Sequence, residues 1–114
     1  MSNETRSKRD PRLLINDMLL AISKIKVYTA GLDFDTFMAD TRTVDAVERN
    51  FEIIGEAANQ LPDTFQNDHS EIVWYNVISF RNRLIHGYFG VDYQILWYIV
   101  QNDLQDLESQ LLAL

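Results

Sequence analysis

The sequence predicts an all-α protein, folded as an up-and-down bundle of four main helices with short helical connections. Three observations support this prediction: apolar residues recur at helical spacing, no strand-like alternation persists, and only four glycines and two prolines interrupt the chain. The 114 residues suffice for one compact domain. We therefore expect a single bundle domain over residues 10–114, preceded by a flexible basic arm at residues 1–9.

The first helix is predicted to begin at Asp10 and Pro11, because aspartate is a favoured N-cap and proline is favoured at the first helical position. It is expected to end before Gly31, which can adopt the left-handed conformation of a helix cap. Its apolar face consists of Leu14, Met18, Ala21, Ile22, Ile25 and Tyr28. A short turn of helix should follow, with Phe34 and Phe37 pointing inward.

The second main helix carries the most regular apolar pattern in the chain. Its apolar residues step by three or four positions, which is the spacing of a seam in a helical bundle. The seam consists of Val44, Val47, Phe51, Ile54, Ala58 and Leu61. Pro62 is expected to stop this helix. Gly55, beside the seam, would let another helix approach closely.

The second half of the chain is predicted to add a polar connection and two further helices. Residues 63–70 are polar and are interpreted as a loop or a short helix. The third main helix is predicted over residues 71–88, with Gly87 as its terminator. Its apolar residues are Trp74, Val77, Ile78, Leu84 and Ile85. The fourth helix follows a cap at Asp92 and repeats Leu96, Val100, Leu104, Leu107 and Leu111.

Composition excludes several classes of protein. The chain has no cysteine, so it can form neither a disulfide framework nor a thiolate site. It shows neither the apolar core of a signal peptide nor a membrane-spanning apolar run, so we expect a soluble, cytoplasmic protein that does not bind membranes. The net charge of −7 argues against nonspecific coating of nucleic acid, which depends on many basic side chains.

The stretch RNRLIHGYFG, residues 81–90, is a basic spot in an acidic part of the chain. Residues 31–114 hold four basic and fourteen acidic side chains, and Arg81 and Arg83 are two of the basic ones. On a helical wheel, Arg81 falls in the middle of the apolar side. Because an unpaired guanidinium is costly there, Arg81 must pair with an acid, reach solvent, or face a crevice or a second subunit.

A histidine in the same stretch is a candidate for proton transfer. His86 precedes the predicted helix end, where the helix dipole favours the imidazolium while the two nearby arginines oppose it. This balance is compatible with titration near neutral pH. Arg81 and His86 point about 140° apart on an ideal helix. Either the helix breaks at Gly87, or a symmetry mate completes the site.

The spacing of Arg81, His86 and Tyr88 resembles the R-X4-H-X-Y signature of the HEPN superfamily, in particular of the HepT-like ribonuclease toxins. The resemblance extends to VERNFEIIGEAANQLP (residues 47–62), Trp74 and GYFGVDYQILWYIVQNDL (residues 87–104). It covers roughly residues 11–112. An R-X4-H pattern by itself is common, whereas RNRLIHGY combined with IGEAA in the preceding helix is specific.

The resemblance implies a HEPN-like bundle that pairs into a homodimer, with the two motif copies lining a shared cleft. It also implies an endoribonuclease that cuts RNA without a metal ion or other cofactor and leaves a 2′,3′-cyclic phosphate. In such an enzyme Arg81 would bind phosphate, Asn82 would orient the reacting groups, and His86 would transfer the proton. Arg83 is interpreted as a solvated residue, with an auxiliary RNA contact as the alternative.

The resemblance further implies regulation by covalent modification. In type VII toxin–antitoxin systems of this family, a minimal nucleotidyltransferase antitoxin AMPylates the motif tyrosine, and the matching residue here is Tyr88. It lies between Gly87 and Phe89, just past the predicted helix end. The adenylate would place bulk and negative charge where an RNA phosphate must bind. The alternative is that Tyr88 packs against the last helix.

Each of these assignments has a structural alternative. Arg81 is alternatively an ion-pair partner of Glu52 or Glu56 inside the bundle. His86 is alternatively a helix-end residue that bonds a free carbonyl, and Asn82 a plain surface residue. For the whole protein, the main alternative is a noncatalytic module that docks a nucleotidyltransferase or a nucleotide in a positive dimer cleft. A purely structural dimerisation bundle is the third hypothesis.

The remaining polar and aromatic residues are assigned ordinary roles. Glu48, Glu52 and Glu56 form an i, i+4 ladder, which we interpret as a solvated or arginine-pairing face. A metal site is disfavoured because no Glu-x-x-His pattern exists in the chain. His69 is expected on the surface of a loop. The aromatic residues interpreted as core or dimer-interface residues are Trp74, Tyr93, Trp97 and Tyr98.

Overall fold

A computed structural model describes residues 9–80 and 90–114 of the chain. These residues form seven α-helices and one π-helical segment, and none of them lies in an extended strand. The elements are α1 (Pro11–Thr29), α2 (Phe34–Ala39), α3 (Thr41–Gln60), α4 (Asp63–Asp68), α5 (Trp74–Ile78), α6 (Tyr93–Tyr98), the π segment (Ile99–Asp103) and α7 (Leu104–Leu112). The predicted all-α helical class is confirmed.

Helix α1 begins and ends where the sequence predicts. The Asp10 side chain accepts a hydrogen bond from the Arg12 amide at 2.8 Å, and Gly31 has the left-handed φ of +76° just past the helix. The expectation for Tyr28 is wrong, since this side chain is 39% exposed. Thr29 takes the buried place in the last turn, because its hydroxyl donates to the Ile25 carbonyl at 2.8 Å.

The short helices confirm their predicted places with one correction. Asp33 and Thr36 form a reciprocal capping box at the start of α2. Phe37 is buried as predicted, whereas Phe34, in the first turn, is only half-buried. The polar connection over residues 63–70 contains the short helix α4, so the helical alternative for this segment is confirmed.

Helix α3 is the central element of the bundle. It packs against α1 over a long interface and also contacts α2 and α5. All of its predicted seam residues are buried: Val44, Val47, Phe51, Ile54, Ala58 and Leu61. The buried Asn50 satisfies its amide by donating to the Ala46 carbonyl at 2.8 Å. The chain leaves the helix at Pro62, as predicted.

The predicted close approach at Gly55 is confirmed. A Cβ atom on Gly55 would lie 3.1 Å from the carbonyl oxygen of Ile78, at the end of α5. The absence of a side chain therefore lets the α5 backbone rest on α3. This contact fixes the position at which the chain enters the segment that carries the predicted motif.

The third main helix starts later than predicted. The chain is not helical over residues 71–73, and α5 begins at Trp74. Two features hold the non-helical turn before α5. The Ile72 side chain is buried, and the Trp74 indole donates a hydrogen bond to the His69 carbonyl at 3.0 Å. The helix is described as far as Ile78, and the predicted continuation from residue 81 to residue 89 lies outside the described residues.

The fourth main helix is capped as predicted but is not a uniform α-helix. Asp92 accepts hydrogen bonds from the Gln94 and Ile95 amides at 3.1 and 3.2 Å. Four predicted apolar positions are buried: Leu96, Leu104, Leu107 and Leu111. The π segment shifts the helical phase, so Ile99 is buried and Val100 is only half-buried, contrary to prediction. No described helix combines the length and hydrophobicity needed to cross a bilayer.

We predict that Gly55→Val lowers the free energy of unfolding by about 1–3 kcal/mol, which is typical of overpacking. The added side chain would collide with the Ile78 carbonyl. Urea denaturation followed by circular dichroism measures the change. Glu56→Val is the matched control, because it adds the same β-branched side chain at a position whose native side chain is 63% exposed. Equal stability of the two variants would contradict the close-contact interpretation.

Candidate functional site

The predicted site residues Arg81, Asn82, Arg83, His86 and Tyr88 all fall outside the described residues. Their mutual arrangement therefore stays a prediction. The structure describes the residues on either side of this segment.

The N-terminal flank is anchored in the core. Phe80, the residue before the motif, is 3% exposed. Its ring packs edge-on against Phe51 of α3, with centroids 5.7 Å apart and an interplanar angle of 69°. Together with the contact between Gly55 and the Ile78 carbonyl, this places Phe80 directly beside the middle of α3.

The C-terminal flank returns to the same helix. Gly90 has a φ of +78°, a conformation that favours glycine, and Asp92 caps α6 two residues later. Tyr93, the first residue of α6, is half-buried beside Glu48 of α3. A hydrogen bond with the Glu48 carboxylate, followed by burial and the charges of Glu48 and Asp45, raises the pKa of Tyr93 to about 12.

Both flanks therefore meet one short stretch of α3. Glu48 and Gly55, with Phe51 between them, lie seven positions apart, or about 10 Å along a helix. Phe80 and Tyr93, which flank the nine-residue segment 81–89 on either side, therefore lie against α3 within about two helical turns of each other.

The neighbouring face of α3 is acidic and contains one arginine. Arg49 Nη1 lies 3.3 Å from Glu52 Oε2 and 3.8 Å from Glu56 Oε1. This agrees with the interpretation of the glutamate ladder as an arginine-pairing face. Glu48 differs, since its carboxylate lies beside Tyr93 and its Oε1 atom is buried. Within the described ranges, no group of three or more His, Asp or Glu side chains is arranged to hold a metal ion.

His69 has a structural position at the corner before α5. Its ring lies 4.6 Å from that of Phe65, its Nδ1 atom lies 3.9 Å from Glu71 Oε2, and its carbonyl accepts the Trp74 indole. It is only partly exposed, so the expectation of an ordinary surface histidine is too simple. Packing on Phe65 and the turn into α5 account for this burial.

The aromatic residues assigned to the core or an interface divide into three groups. Trp74 is buried, and Trp97 packs on Phe37 with ring centroids 4.9 Å apart. Tyr98 is 62% exposed and contributes nothing to the core, because it lies on the outer side of α6. The sequence interpretation missed the link between Tyr93 and Glu48. The available signal was a half-buried tyrosine, whose hydroxyl requires a polar partner.

A match to a known protein family covers the described flanks and α3. The family described as "Ribonuclease HepT-like" matches residues 18–114, a range that includes α3, both flanks and the segment between them. The chain belongs to the HepT-like ribonuclease family. The HepT-like resemblance that was inferred from RNRLIHGY and IGEAA is thereby confirmed.

Individual relatives of this HepT-like chain agree with the family match. "Putative RNase MJ0127" of Methanocaldococcus jannaschii is 38% identical over 106 residues, covering 90% of this chain and 88% of the relative. "Probable ribonuclease HepT" of Thermococcus cleftensis is 39% identical over 103 residues, covering 90% and 94%. "Putative RNase TTE0752" of Caldanaerobacter subterraneus is 34% identical over 102 residues, covering 90% and 91%. No solved structure gives a significant match.

The link between Tyr93 and Glu48 predicts a pH dependence of stability. Because the folded state raises the pKa of Tyr93 from 10.0 to about 12, the stabilising contribution is complete below pH 10 and is lost as the pH rises toward 12. Glu48→Gln should reduce this alkaline loss, since the amide carries no negative charge. Urea midpoints measured across this pH range provide the test.

Two tyrosine variants identify the source of that effect. Tyr93→Phe should remove the whole of the alkaline dependence that Tyr93 causes, whereas Glu48→Gln should remove the part that is due to Glu48, because burial and Asp45 still act on the tyrosine. Tyr98→Phe is the matched control at an exposed tyrosine and should keep the wild-type dependence. The assignment to Tyr93 is wrong if Glu48→Gln and Tyr93→Phe both lose stability with rising pH as the wild type does.

Proposed function

We propose that this protein is a metal-independent endoribonuclease and the toxin of a type VII toxin–antitoxin pair in the cytoplasm. The observation that carries the proposal is the run RNRLIHGY, which lies inside the HepT-like family match between two flanks anchored on α3. Family membership supports RNA cleavage as the activity. The toxin role, the mechanism and the regulation are inferred from the residues that match the family motif.

In the proposed reaction, His86 removes the proton from a ribose 2′-hydroxyl, and the 2′-oxygen attacks the adjacent phosphorus. The guanidinium of Arg81 binds the phosphate and stabilises the charge that develops on the phosphorane. Asn82 orients the reacting groups, and Arg83 is an auxiliary contact to the RNA. The bond to the 5′-oxygen breaks, which leaves a 2′,3′-cyclic phosphate and a 5′-hydroxyl after that oxygen gains a proton.

The proposed enzyme is a homodimer. On one straight helix the directions of Arg81 and His86 differ by about 140°, so a single copy brings the two groups together poorly. Two motif copies facing each other across a shared cleft would supply the arginine and the histidine of each site from either protomer. The anchoring of both motif flanks on α3 supports a defined position for this cleft.

The proposed regulation is AMPylation of Tyr88 by a minimal nucleotidyltransferase antitoxin. The Tyr88 phenol oxygen would attack the α-phosphorus of ATP, pyrophosphate would leave, and the phenol proton would pass to solvent. The adenylate then places a phosphodiester charge beside the phosphate-binding arginine, where it competes with RNA.

A noncatalytic binding module is the second candidate function. The net charge of −7 and the acidic face of α3 beside the motif flanks favour it, because both weaken binding of a polyanion. In this case Arg81 and His86 would contact a nucleotide or the nucleotidyltransferase and no RNA would be cut. Tight binding of the partner with no RNA products at high protein concentration would decide for this function.

We predict that the unmodified protein cleaves RNA in the presence of EDTA and that His86→Ala reduces cleavage by at least about 100-fold, as expected for loss of a general base. The chain has two histidines, which makes His69→Ala the matched control. His69→Ala should retain cleavage, because the contact of this residue with Trp74 is made by its backbone carbonyl. Product analysis should find cyclic phosphate ends.

Circular dichroism and the molar mass in solution must be unchanged in His86→Ala for the comparison to hold. Undiminished cleavage by that variant would reject His86 as the base. Loss of cleavage in EDTA with recovery on adding Mg²⁺ would reject the metal-independent mechanism.

We predict that Tyr88→Phe folds normally and escapes AMPylation, because the acceptor hydroxyl is gone. Intact-mass spectrometry after incubation with the nucleotidyltransferase and ATP measures the adenylates added. Tyr75→Phe is the matched control at a tyrosine that is 70% exposed, and it should be modified like the wild type. Modification of Tyr88→Phe to the wild-type level would place the acceptor elsewhere.

A further inference from the structure

The outer face of α1 carries an exposed apolar stripe. Leu13, Leu20 and Val27 are 48%, 57% and 69% exposed, and they follow one another at intervals of seven residues. Residues seven apart lie on nearly the same side of a helix. We call these three residues the outer stripe. It spans about 21 Å, since each helical residue rises about 1.5 Å.

Opposite charges lie along the outer stripe at the same interval. Asp17 follows Leu13 by four residues, and Lys24 follows Leu20 by four residues. Asp17 Oδ2 lies 2.6 Å from Arg9 Nη1 near the start of the helix. Lys24 makes no ion pair within the part of the chain that the structure describes. Asp17 therefore supplies a carboxylate, already paired with Arg9, toward one end of the stripe, and Lys24 supplies an ammonium group toward the other.

A cavity of about 200 Å³ lies beside the centre of the outer stripe. It is lined by Asp17, Leu20, Ala21, Lys24, Asn50 and Ile53, so it lies between α1 and α3. An open depression next to an exposed leucine can receive an apolar side chain from a neighbouring helix. The outer stripe thus presents an exposed leucine side chain and, beside it, a depression that can hold a side chain of a neighbouring helix.

We propose that the outer stripe binds the same stripe of a second copy of this chain, with the two α1 helices antiparallel about a two-fold axis at Leu20. In this arrangement Leu13 lies opposite the partner's Val27, and Asp17 lies next to the partner's Lys24. The surface is therefore complementary to itself, as a two-fold interface requires. A parallel arrangement would instead place like charges opposite each other, which is unfavourable.

This interface is separate from the side of the molecule that carries the motif flanks. On α3, Ile53 lines the cavity at the outer stripe, whereas Glu48 lies beside Tyr93 at the motif flank. Five residues along a helix correspond to a rotation of about 140°. The acidic face with Glu52 lies between the two surfaces. The proposed interface at the outer stripe is therefore additional to that of the proposed catalytic dimer. It does not depend on whether the protein cleaves RNA.

The size of the outer stripe indicates a weak interface. Stable protein interfaces bury about 800 Å² on each partner, which exceeds what one stripe of three apolar side chains can supply. Self-association through α1 should therefore depend on protein concentration. Two interfaces of two-fold type on one chain generate tetramers or larger assemblies when both are occupied.

Cysteine cross-linking tests the antiparallel arrangement, and the absence of native cysteine makes each introduced thiol the only one in its chain. At the two-fold axis, the Cα atoms of facing helices approach to about 5 Å, within disulfide range. Leu20→Cys should therefore form a disulfide dimer on mild oxidation. Leu13→Cys alone should not, because the two copies of residue 13 are about 21 Å apart. A mixture of Leu13→Cys and Val27→Cys should give a heterodimer.

The cross-linking result has clear opposing outcomes. Cross-linking of Leu13→Cys with itself as fast as Leu20→Cys would indicate a parallel pair and overturn the proposed geometry. Failure of Leu20→Cys to cross-link at high concentration, while the thiol reacts freely with a small reagent, would overturn the interface altogether.

Sedimentation velocity over a concentration series tests the interface without a covalent bond. Leu20→Glu should abolish the concentration-dependent rise in mass, because it places two carboxylates at the axis. Leu112→Glu is the matched control at a leucine that is 68% exposed in α7, and it should associate like the wild type.

Charge exchange then tests the pairing of Asp17 with the partner's Lys24. Asp17→Lys and Lys24→Asp should each weaken association, and the double variant should restore it.

Wild-type association in Leu20→Glu would reject the proposal. Retained RNA cleavage in Leu20→Glu would separate this interface from the catalytic dimer, and lost cleavage with intact secondary structure would merge the two and overturn the proposed separation.

Discussion

The close packing of α5 on α3 at Gly55 is the constraint on which the position of the residues leading into the predicted motif depends. Because this residue has no Cβ, the Ile78 carbonyl can rest on α3. The next aromatic residue, Phe80, then meets Phe51 and enters the core. Since Tyr93 brings the chain back to the same helix, α3 supports both ends of the motif segment. A rigid support of this kind is what precise placement of reacting groups requires.

The charges around this support restrict how RNA can bind. One face of α3 carries Glu52 and Glu56, and Arg49 is already paired with both. A protein with a net charge of −7 gains little from long-range attraction to a polyanion. A ribonuclease built this way must hold its substrate through a few local contacts. Its RNA affinity should therefore depend less steeply on salt than that of a broadly basic nuclease.

Much of the fold could be predicted from the sequence, because local signals and packing agree. Asp10 and Gly31 at the ends of α1 and the seam of α3 each follow from capping rules or helical spacing. Such rules could not predict the late start at Trp74, which results from a side-chain bond to the His69 carbonyl. They also missed the pairing of Tyr93 with residues distant in sequence. For the candidate site, the recognisable motif supplied the residue types, whereas a helical wheel alone could not determine how their side chains are arranged in space.

The π segment Ile99–Asp103 has a consequence for how this protein can vary in length. Buried residues on the last helix are separated by three, five, three and four positions, from Leu96 through Ile99, Leu104 and Leu107 to Leu111. The five-residue step stays on the buried face because the hydrogen bonds there run from i to i+5. Deleting one residue between Ile99 and Leu104 would restore regular α-helical hydrogen bonding and would leave the same side of the helix buried. Single-residue deletions, which proteins usually tolerate only in loops, are therefore compatible with the middle of this helix.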